Sequence, residues 1–122
     1  MAFLADYIYD LALAELDTNA ETLHITSAEA TTYTEAITTY TLGNNAVTVG
    51  APANGDTSGR KVTIAAISGA SVTGTGTATH WAIVKSTGSV LMATGALSAS
   101  QAVTSGNTFD LAAFDIEIQD AA

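Results

Sequence analysis

The sequence contains no cysteine, a single proline and very few basic residues. Its 122 residues carry 12 acidic side chains against 3 basic ones, which gives a formal net charge of −9 at pH 7. The absence of cysteine excludes disulfides, a thiolate nucleophile and sulfur metal ligands. The shortage of cations excludes proteins that follow a phosphate backbone, because these need lysine and arginine to displace counterions. We therefore expect neither nucleic acid nor an anionic membrane as a partner.

Long apolar runs are also lacking. No stretch approaches the roughly 18 to 20 apolar residues of a membrane-spanning helix, and the N-terminus lacks the basic region of a signal peptide. A chain of this length has room for one hydrophobic core. We predict a protein made in a cytoplasm, with an N-terminal helical segment at residues 1–19 and a β-sandwich domain at residues 20–122.

The apolar residues of the N-terminal segment recur with the period of an α-helix across residues 2–16. At about 100° per residue, they fall on two arcs, the first about 140° wide. The first arc comprises Phe3, Leu4, Tyr7, Ile8, Leu11 and Ala14. The second arc comprises Tyr9, Leu13 and Leu16, and a helix lying on one small core would leave it exposed to water. Two arcs indicate two contacts, one of them with the protein's own sheet; for the other, a neighbouring subunit and burial within the fold both stay open. Asn19 is expected to end the helix in a left-handed conformation.

After residue 19 the composition becomes rich in threonine and β-branched residues, which is typical of strands. We predict about seven antiparallel strands that form a β-sandwich or a jelly-roll-like barrel. The predicted strands are residues 22–27, 46–49, 60–67, 70–75, 77–85, 89–97 and 108–118. Residues 28–45 are predicted to form a long loop or short helix held on the core by apolar side chains. These anchors are Tyr33, Ile37, Tyr40 and Leu42.

Turn-forming residues mark the connections between the predicted strands. Residues 50–59 are rich in Gly, Asn, Asp and Pro and predict a mobile loop. Ser68-Gly69 predicts a tight hairpin. The apolar alternation of the last strand changes parity at Ala112-Ala113, which predicts a β-bulge at that point.

Few residues could perform catalysis. His24 and His80 are the only side chains that ordinarily titrate near neutral pH, and if Trp81 anchors the core, strand alternation turns His80 toward solvent or a partner. No serine elbow or paired-histidine metal motif is present. The carboxylate pairs that could serve a glycosidase are Glu29 with Glu35 and Asp115 with Glu117. Neighbouring carboxylates on an open face are ordinarily solubilising charge, so we predict no catalytic residue and no enzyme.

Two motifs with ligand-binding potential are weak. Asn54, Asp56 and Ser58 alternate oxygen-bearing side chains in the manner of a calcium loop, but the pattern lacks its closing glutamate. A weak cation site and a simple flexible loop both stay open, and the loop is favoured. The Gly74-Thr75-Gly76 run lies between two strands with no helix after it, which argues against a phosphate site. We predict no cofactor and no resident metal.

Arg60 and Lys61 form the one adjacent basic pair of the chain. They either balance local carboxylates at a strand end or meet an acidic patch on a partner, where complementary charge sets orientation and register. The second interpretation makes them candidate partner contacts, together with large apolar residues of the first helical arc. Those residues are Phe3, Leu4, Tyr7, Ile8 and Leu11.

Five segments are recognisable in their combined order. They are SAEATTYTEA (27–36), YTLGN (40–44), GRKVTIAA (59–66), SVTGTGTATHWAI (71–83) and GALSASQAVTSGNTF (95–109). Together they resemble a family of small proteins encoded in tailed bacteriophages and prophages, particularly of alphaproteobacteria. Members of that family are usually uncharacterised or described as virion structural proteins. The resemblance covers most of the chain after residue 20 and implies a structural role in the virion.

Charge narrows the expected position within a particle. A protein of net charge −9 facing packaged DNA would be repelled by it, so an outward position is favoured. The leading expectation is a capsid decoration or cement protein on the outer surface of the head. Its expected partners are the major capsid protein, copies of itself in a homo-oligomer such as a trimer, or both. The alternative is a tail, neck or fibre component with a receptor- or carbohydrate-binding β-module, in which Trp81, Tyr33 and Tyr40 would form an exposed stacking platform.

Overall fold

The computed structural model describes residues 4–56 and 58–119. Within those residues the chain forms one α-helix, a short π-helical turn at Glu35–Thr39 and nine strands. In chain order the α-helix and strands are α1 (Asp6–Asn19), β1 (Thr22–Thr26), β2 (Thr41–Ala46), β3 (Ala53–Asn54), β4 (Arg60–Ile64), β5 (Ile67–Val72), β6 (Gly76–Lys85), β7 (Val90–Val103), β8 (Thr108–Leu111) and β9 (Phe114–Ile118). In the described residues, no helix is long and apolar enough to cross a bilayer.

The strands form two antiparallel sheets. A curled six-stranded sheet has the order β7-β6-β1-β2-β5-β8, and a small sheet has the order β3-β4-β9. The predicted mainly β, sandwich- or barrel-like architecture with one N-terminal helix is confirmed.

The main core lies on the inner face of the six-stranded sheet. The central strands β1 and β6 direct Leu23, Ile25 and Ile83 into it, and the small sheet contributes Val62 and Ile64 from β4. All five side chains are at most 2% exposed. Helix α1 adds two leucines to the same cluster, so the N-terminal segment and the strands share one core.

The side of the central strands that points away from the main core is also covered by other residues. The alternation of β1 does not indicate this cover. A second apolar cluster joins Ala82 and Val84 of β6 to Ala30 and Ala36. Residues 28–45 were predicted to form a long loop or short helix; Glu35–Thr39 does form the short π-helical turn, but residues 41–45 belong to β2, so the prediction is wrong for the end of the segment. Tyr33, Ile37 and Tyr40 pack on this second cluster, while Leu42 joins the main core. His24 and Thr26 are consequently buried, at 7% and 0% exposure.

Strands β4 and β5 run alongside β9 and β8 as one bent ribbon. Ile64 pairs with Phe114 and Ile67 pairs with Leu111, so the register advances by three residues on both strands. The ribbon passes from the small sheet to the large one at this bend, as strands do at the corners of sandwiches. The connecting residues are Ala65-Ala66 and Ala112-Ala113.

This ribbon overturns two predictions. The residues Ser68-Gly69 lie inside β5 at a register shift instead of forming a hairpin, and Gly69 takes a left-handed φ of 66°. Ala112-Ala113 is a crossing between sheets rather than a bulge in one strand, so the change of parity reflects two strands in two sheets.

Other predicted boundaries are also wrong. A strand was predicted at residues 46–49, but the observed strand is β2 at Thr41–Ala46. The observed strand therefore ends at the residue where the predicted strand begins. The predicted loop at residues 50–59 contains β3, which pairs with β4, and β7 extends six residues beyond the expected end at residue 97. Helix α1 does end at Asn19, but its cap is the extended residue Ala20, whose N–H donates to the carbonyl of Leu16.

Candidate functional site

Helix α1 presents one apolar arc to the core and the other to solvent. Its buried residues belong to the second arc and are Tyr9, Leu13 and Leu16, so the expectation that a small core would leave this arc exposed is wrong. The first arc is open, with Leu4 51%, Tyr7 69%, Ile8 44% and Leu11 52% exposed. We call these four residues the outer face. Phe3, predicted with them, lies outside the described residues.

Arg60 holds the helix in this orientation. Its Nε donates to Asp10 Oδ1 at 2.7 Å and its Nη2 to Asp10 Oδ2 at 3.3 Å, which joins β4 to α1 through a two-pronged contact. Nη1 donates to Asn54 Oδ1 of β3 at 2.6 Å. The hydrogen bond to Asp10 raises the pKa of Arg60 above its usual range. One guanidinium therefore ties the helix and a hairpin of the small sheet together.

Lys61 forms a second ionic cluster beside the first. Its Nζ donates to Asp56 Oδ1 at 2.6 Å and to Asp115 Oδ2 at 3.1 Å, and Asp115 also accepts a hydrogen bond from Thr63 Oγ1 at 2.7 Å. The hydrogen bonds to Asp56 and Asp115 raise the pKa of Lys61. The hydrogen bond from Thr63, followed by that from Lys61, lowers the pKa of Asp115. Lys61 thus cross-links the loop before β4 to β9.

Both predicted basic contacts are therefore ion-paired within their own chain. The charge-balance interpretation of Arg60 and Lys61 describes these contacts, while contact with a partner stays a prediction. Two of the three candidate calcium ligands, Asn54 and Asp56, direct a side-chain oxygen at these cations. Within the described residues, no group of three or more His, Asp or Glu side chains is placed to hold a metal ion.

Comparisons with protein-family models, curated proteins and solved structures find no match. The phage resemblance thus stays a prediction, and the geometry of the described residues is what can support a function. Four partly exposed apolar side chains, three on α1 and that of Leu4 just before it, form a surface suited to binding another protein, because α1 is itself anchored in the core.

The two histidines lie on the side of the six-stranded sheet that carries the second apolar cluster. His24 is opposite Ala82 and His80 is opposite Thr26 in the pairing of β1 with β6. His24 Nδ1 is 2.8 Å from Thr41 Oγ1, and His80 Nδ1 is 2.9 Å from Thr79 Oγ1. Trp81 packs in the main core, so His80 lies on the opposite side of the sheet, as strand alternation predicts. It is half-buried there, and contact with a partner stays a prediction.

The candidate carboxylate pairs have structural partners. Glu35 accepts hydrogen bonds from the backbone N–H and the hydroxyl of Thr31, and its own N–H donates to Thr32 Oγ1. This reciprocal arrangement resembles a capping box at the start of the π-helical turn. The hydrogen bonds from Thr31 lower the pKa of Glu35. Asp115 belongs to the Lys61 cluster, so one member of each pair is engaged in holding the fold together.

The aromatic platform expected for a carbohydrate-binding module is not assembled. Trp81 is only 9% exposed in the main core, where its ring lies 4.7 Å from that of Phe114 at a 40° tilt. Tyr33 and Tyr40 pack on the second cluster, across the six-stranded sheet from Trp81. That expectation is wrong because alternate residues of β6 face opposite sides of the sheet.

Acidification is expected to destabilise the fold through His24. Burial lowers the pKa of His24 below its ordinary value of 6.5, so the unfolded chain protonates this ring at a higher pH than the folded chain does. Above pH 6.5 the ring is neutral in both states and the free energy of unfolding has its full value. The free energy of unfolding declines as the pH falls from 6.5 toward the lowered pKa of the folded state. Urea midpoints between about pH 5 and pH 7.5, where ordinary carboxylates stay ionised, measure the decline.

The control separates His24 from the other titrating groups. The variant H24Q should show a smaller fall in urea midpoint over this pH range, while H80Q, altered on the same side of the sheet, should retain the wild-type fall. Equal declines in H24Q and the wild type would contradict the assignment to His24.

Sequence reasoning missed two cavities that lie between β7 and β9. One, of ≈ 470 Å³, is lined by Trp81, Leu97 and Phe114 among others, and we call it the Trp81 cavity. The second, of ≈ 370 Å³, is lined by residues of α1, β7 and β9, and we call it the helix cavity. No local motif marks them, because the residues of β7 and β9 that line them lie at least 13 residues apart in the chain.

Proposed function

We propose that the protein is a non-enzymatic virion component, a decoration or cement protein that binds the outside of a phage head through the outer face of α1. One observation carries the proposal: the outer face exposes four large apolar side chains while the opposite arc of the same helix is locked into the core. Burying one such side chain completely contributes about 1.5–3 kcal/mol. Docking the outer face would therefore stabilise both the complex and the folded chain.

The charge of the chain is compatible with an outward position. A net charge of −9 opposes contact with packaged DNA and favours a solvated surface. The partner we propose is the major capsid protein, with self-association into a homo-oligomer such as a trimer as a further contact. Arg60 supports this role by orienting α1 through Asp10. Direct contact of Arg60 and Lys61 with the capsid remains part of the proposal.

Counting copies of the chain in purified particles of the encoding phage tests the location. On the order of hundreds of copies is expected for a protein repeated over a symmetric head. Tens of copies or fewer would instead favour the tail, neck or fibre alternative, and absence of the chain from particles would overturn a virion role.

Point variants test the outer face without disturbing the core. The double variant Y7S/I8S removes two exposed apolar side chains, and we expect particle occupancy to fall at least about tenfold. A matched pair of serines at exposed acidic positions of the same helix, D6S/D17S, should leave occupancy nearly unchanged. Full occupancy of Y7S/I8S would contradict binding through this face.

A further inference from the structure

Strand β7 is an open sheet edge of unusual composition. It is 14 residues long, lies at the end of the six-stranded sheet and pairs with β6 alone among the described strands. Its sequence, VLMATGALSASQAV, contains no charged residue and no proline. Natural edge strands are usually protected by such residues, because unpaired backbone groups recruit other strands. Residues 93–96 of β7 pair in regular register with residues 80–83, so a straight segment is available.

A second open edge faces β7. Strand β9 lies at the end of the small sheet and pairs with β4 alone within the described residues. Both the Trp81 cavity and the helix cavity have β7 on one wall and β9 on the other. The two cavities therefore lie along one cleft bounded by two strand edges, which we call the β7–β9 cleft.

The lining of the cleft suits the side chains of an inserted strand. The floor of the Trp81 cavity is aromatic and aliphatic, while its walls include the small, exposed residues Ala99 and Ala113. The helix cavity is lined by Leu13, Met92 and Ile116. Apolar concavities of 300–1,000 Å³ are the size that protein sites use to hold ligand groups. An extended chain directs alternate side chains to one face, so it can fill both cavities from one backbone.

We propose that the β7–β9 cleft accepts an extended segment of a partner protein, which adds as a strand to β7 and places alternate apolar side chains in the two cavities. Main-chain hydrogen bonds to the open edge supply affinity in this binding mode, and the pockets for alternate side chains supply specificity. The proposal concerns a different surface from the outer face and does not depend on the identity of the particle.

The charge of the chain favours a partner protein of different sequence, rather than a second copy of this chain, as the occupant of the β7–β9 cleft. Glu15 and Lys85 both line the helix cavity, and Asp115 of the Trp81 cavity is paired with Lys61, so the excess negative charge is that of the chain as a whole, at net −9. A second copy would bring another −9 and few free cations, because Arg60 and Lys61 are ion-paired internally. The segment that fits is apolar at alternate positions and carries lysine or arginine between them.

Selection from a library of random nine-residue peptides against the full chain tests this inference. Enriched peptides should alternate apolar residues with polar or basic ones and should be poor in Asp and Glu. Their affinity can be followed by fluorescence, because Trp81 is the single tryptophan of the chain and lines the cleft. Failure to enrich any peptide, or enrichment of acidic or non-alternating sequences, would overturn the proposal, as would concentration-dependent dimerisation that blocks the peptides.

Matched variants locate the bound peptide. A113F and A99F each place an aromatic ring at an exposed alanine of the Trp81 cavity and should weaken the enriched peptide at least about tenfold. A66F alters an exposed alanine at the matching bend of the ribbon, outside the cavity, and should bind normally. E15K should weaken basic peptides, whereas E29K should not. Unchanged affinity in both cavity-filling variants would place the peptide elsewhere and overturn the proposal, while leaving the outer-face occupancy test unaffected.

Discussion

Replacing Leu13 with alanine is expected to lower the free energy of unfolding by about 2–5 kcal/mol. Leu13 is 3% exposed and belongs to the main core. Truncation removes buried methyl groups and leaves a void beside the helix cavity, which Leu13 already lines. Chemical denaturation of L13A measures the loss, and amide exchange should show α1 opening before β1 and β6.

Leu11 is the natural control, since it lies two residues away on the same helix and is 52% exposed. L11A should change the free energy of unfolding by no more than about 0.5 kcal/mol. L11A should instead weaken partner binding. Particle occupancy should fall, while the free energy of unfolding of the isolated chain stays close to the wild-type value. A stability loss in L11A as large as in L13A would contradict the division of α1 into a core arc and an outer face.

Substitution of Gly95 by alanine is expected to cost about 1–3 kcal/mol of stability through overpacking. A Cβ built on Gly95 would lie 2.6 Å from Cζ2 and 2.7 Å from Cε2 of Trp81, closer than carbon atoms can approach. The indole packs against the backbone of β7 at this point and also contacts the ring of Phe114. Relief requires the ring to move toward the Trp81 cavity, so the tryptophan emission of G95A should shift to longer wavelength along with the lower unfolding midpoint.

A second glycine provides the comparison for this prediction. A Cβ at Gly74 would have its nearest neighbours at 3.5 Å, an ordinary contact distance. G74A should therefore leave both stability and Trp81 emission close to the wild-type values. Wild-type emission and midpoint in G95A would show that Trp81 is not held against the backbone of β7.

The helix and its two faces were predictable because helical periodicity is a local property of the sequence. The period of α1 separates Tyr9, Leu13 and Leu16 from the outer face, but periodicity alone does not indicate which of the two arcs is buried. The burial of His24 was not predictable in the same way. It depends on the cover provided by residues 28–40, and that cover is a tertiary contact with no signature in the strand itself.

The errors arose where one local pattern is compatible with two tertiary arrangements. Ser68-Gly69 has turn chemistry, and a left-handed glycine serves a bulge as well as a hairpin. Ala112-Ala113 changes the apolar parity, which a bulge and a passage between sheets both produce. The partners of Arg60 and Lys61 include Asp10 and Asp115, which lie 50 and 54 residues away in the chain. No local rule selects those carboxylates among the 12 acidic residues.

The bent ribbon also governs the order in which the molecule can fold. Arg60 pairs with Ile118 at the end of the ribbon, so β4, which also pairs with the preceding β3, has its second partner β9 only after 58 further residues have been synthesised. Closing so long a loop is slow in comparison with forming α1 or the adjacent strands β6 and β7. Ile116 and Ile118 of β9 line the helix cavity together with Leu13 and Leu16 of α1, so the surroundings of the helix are completed late. A nascent chain arrested before residue 114 should therefore contain α1 without β9 beside it. Leu13 and Leu16 would then still be accessible to chaperones.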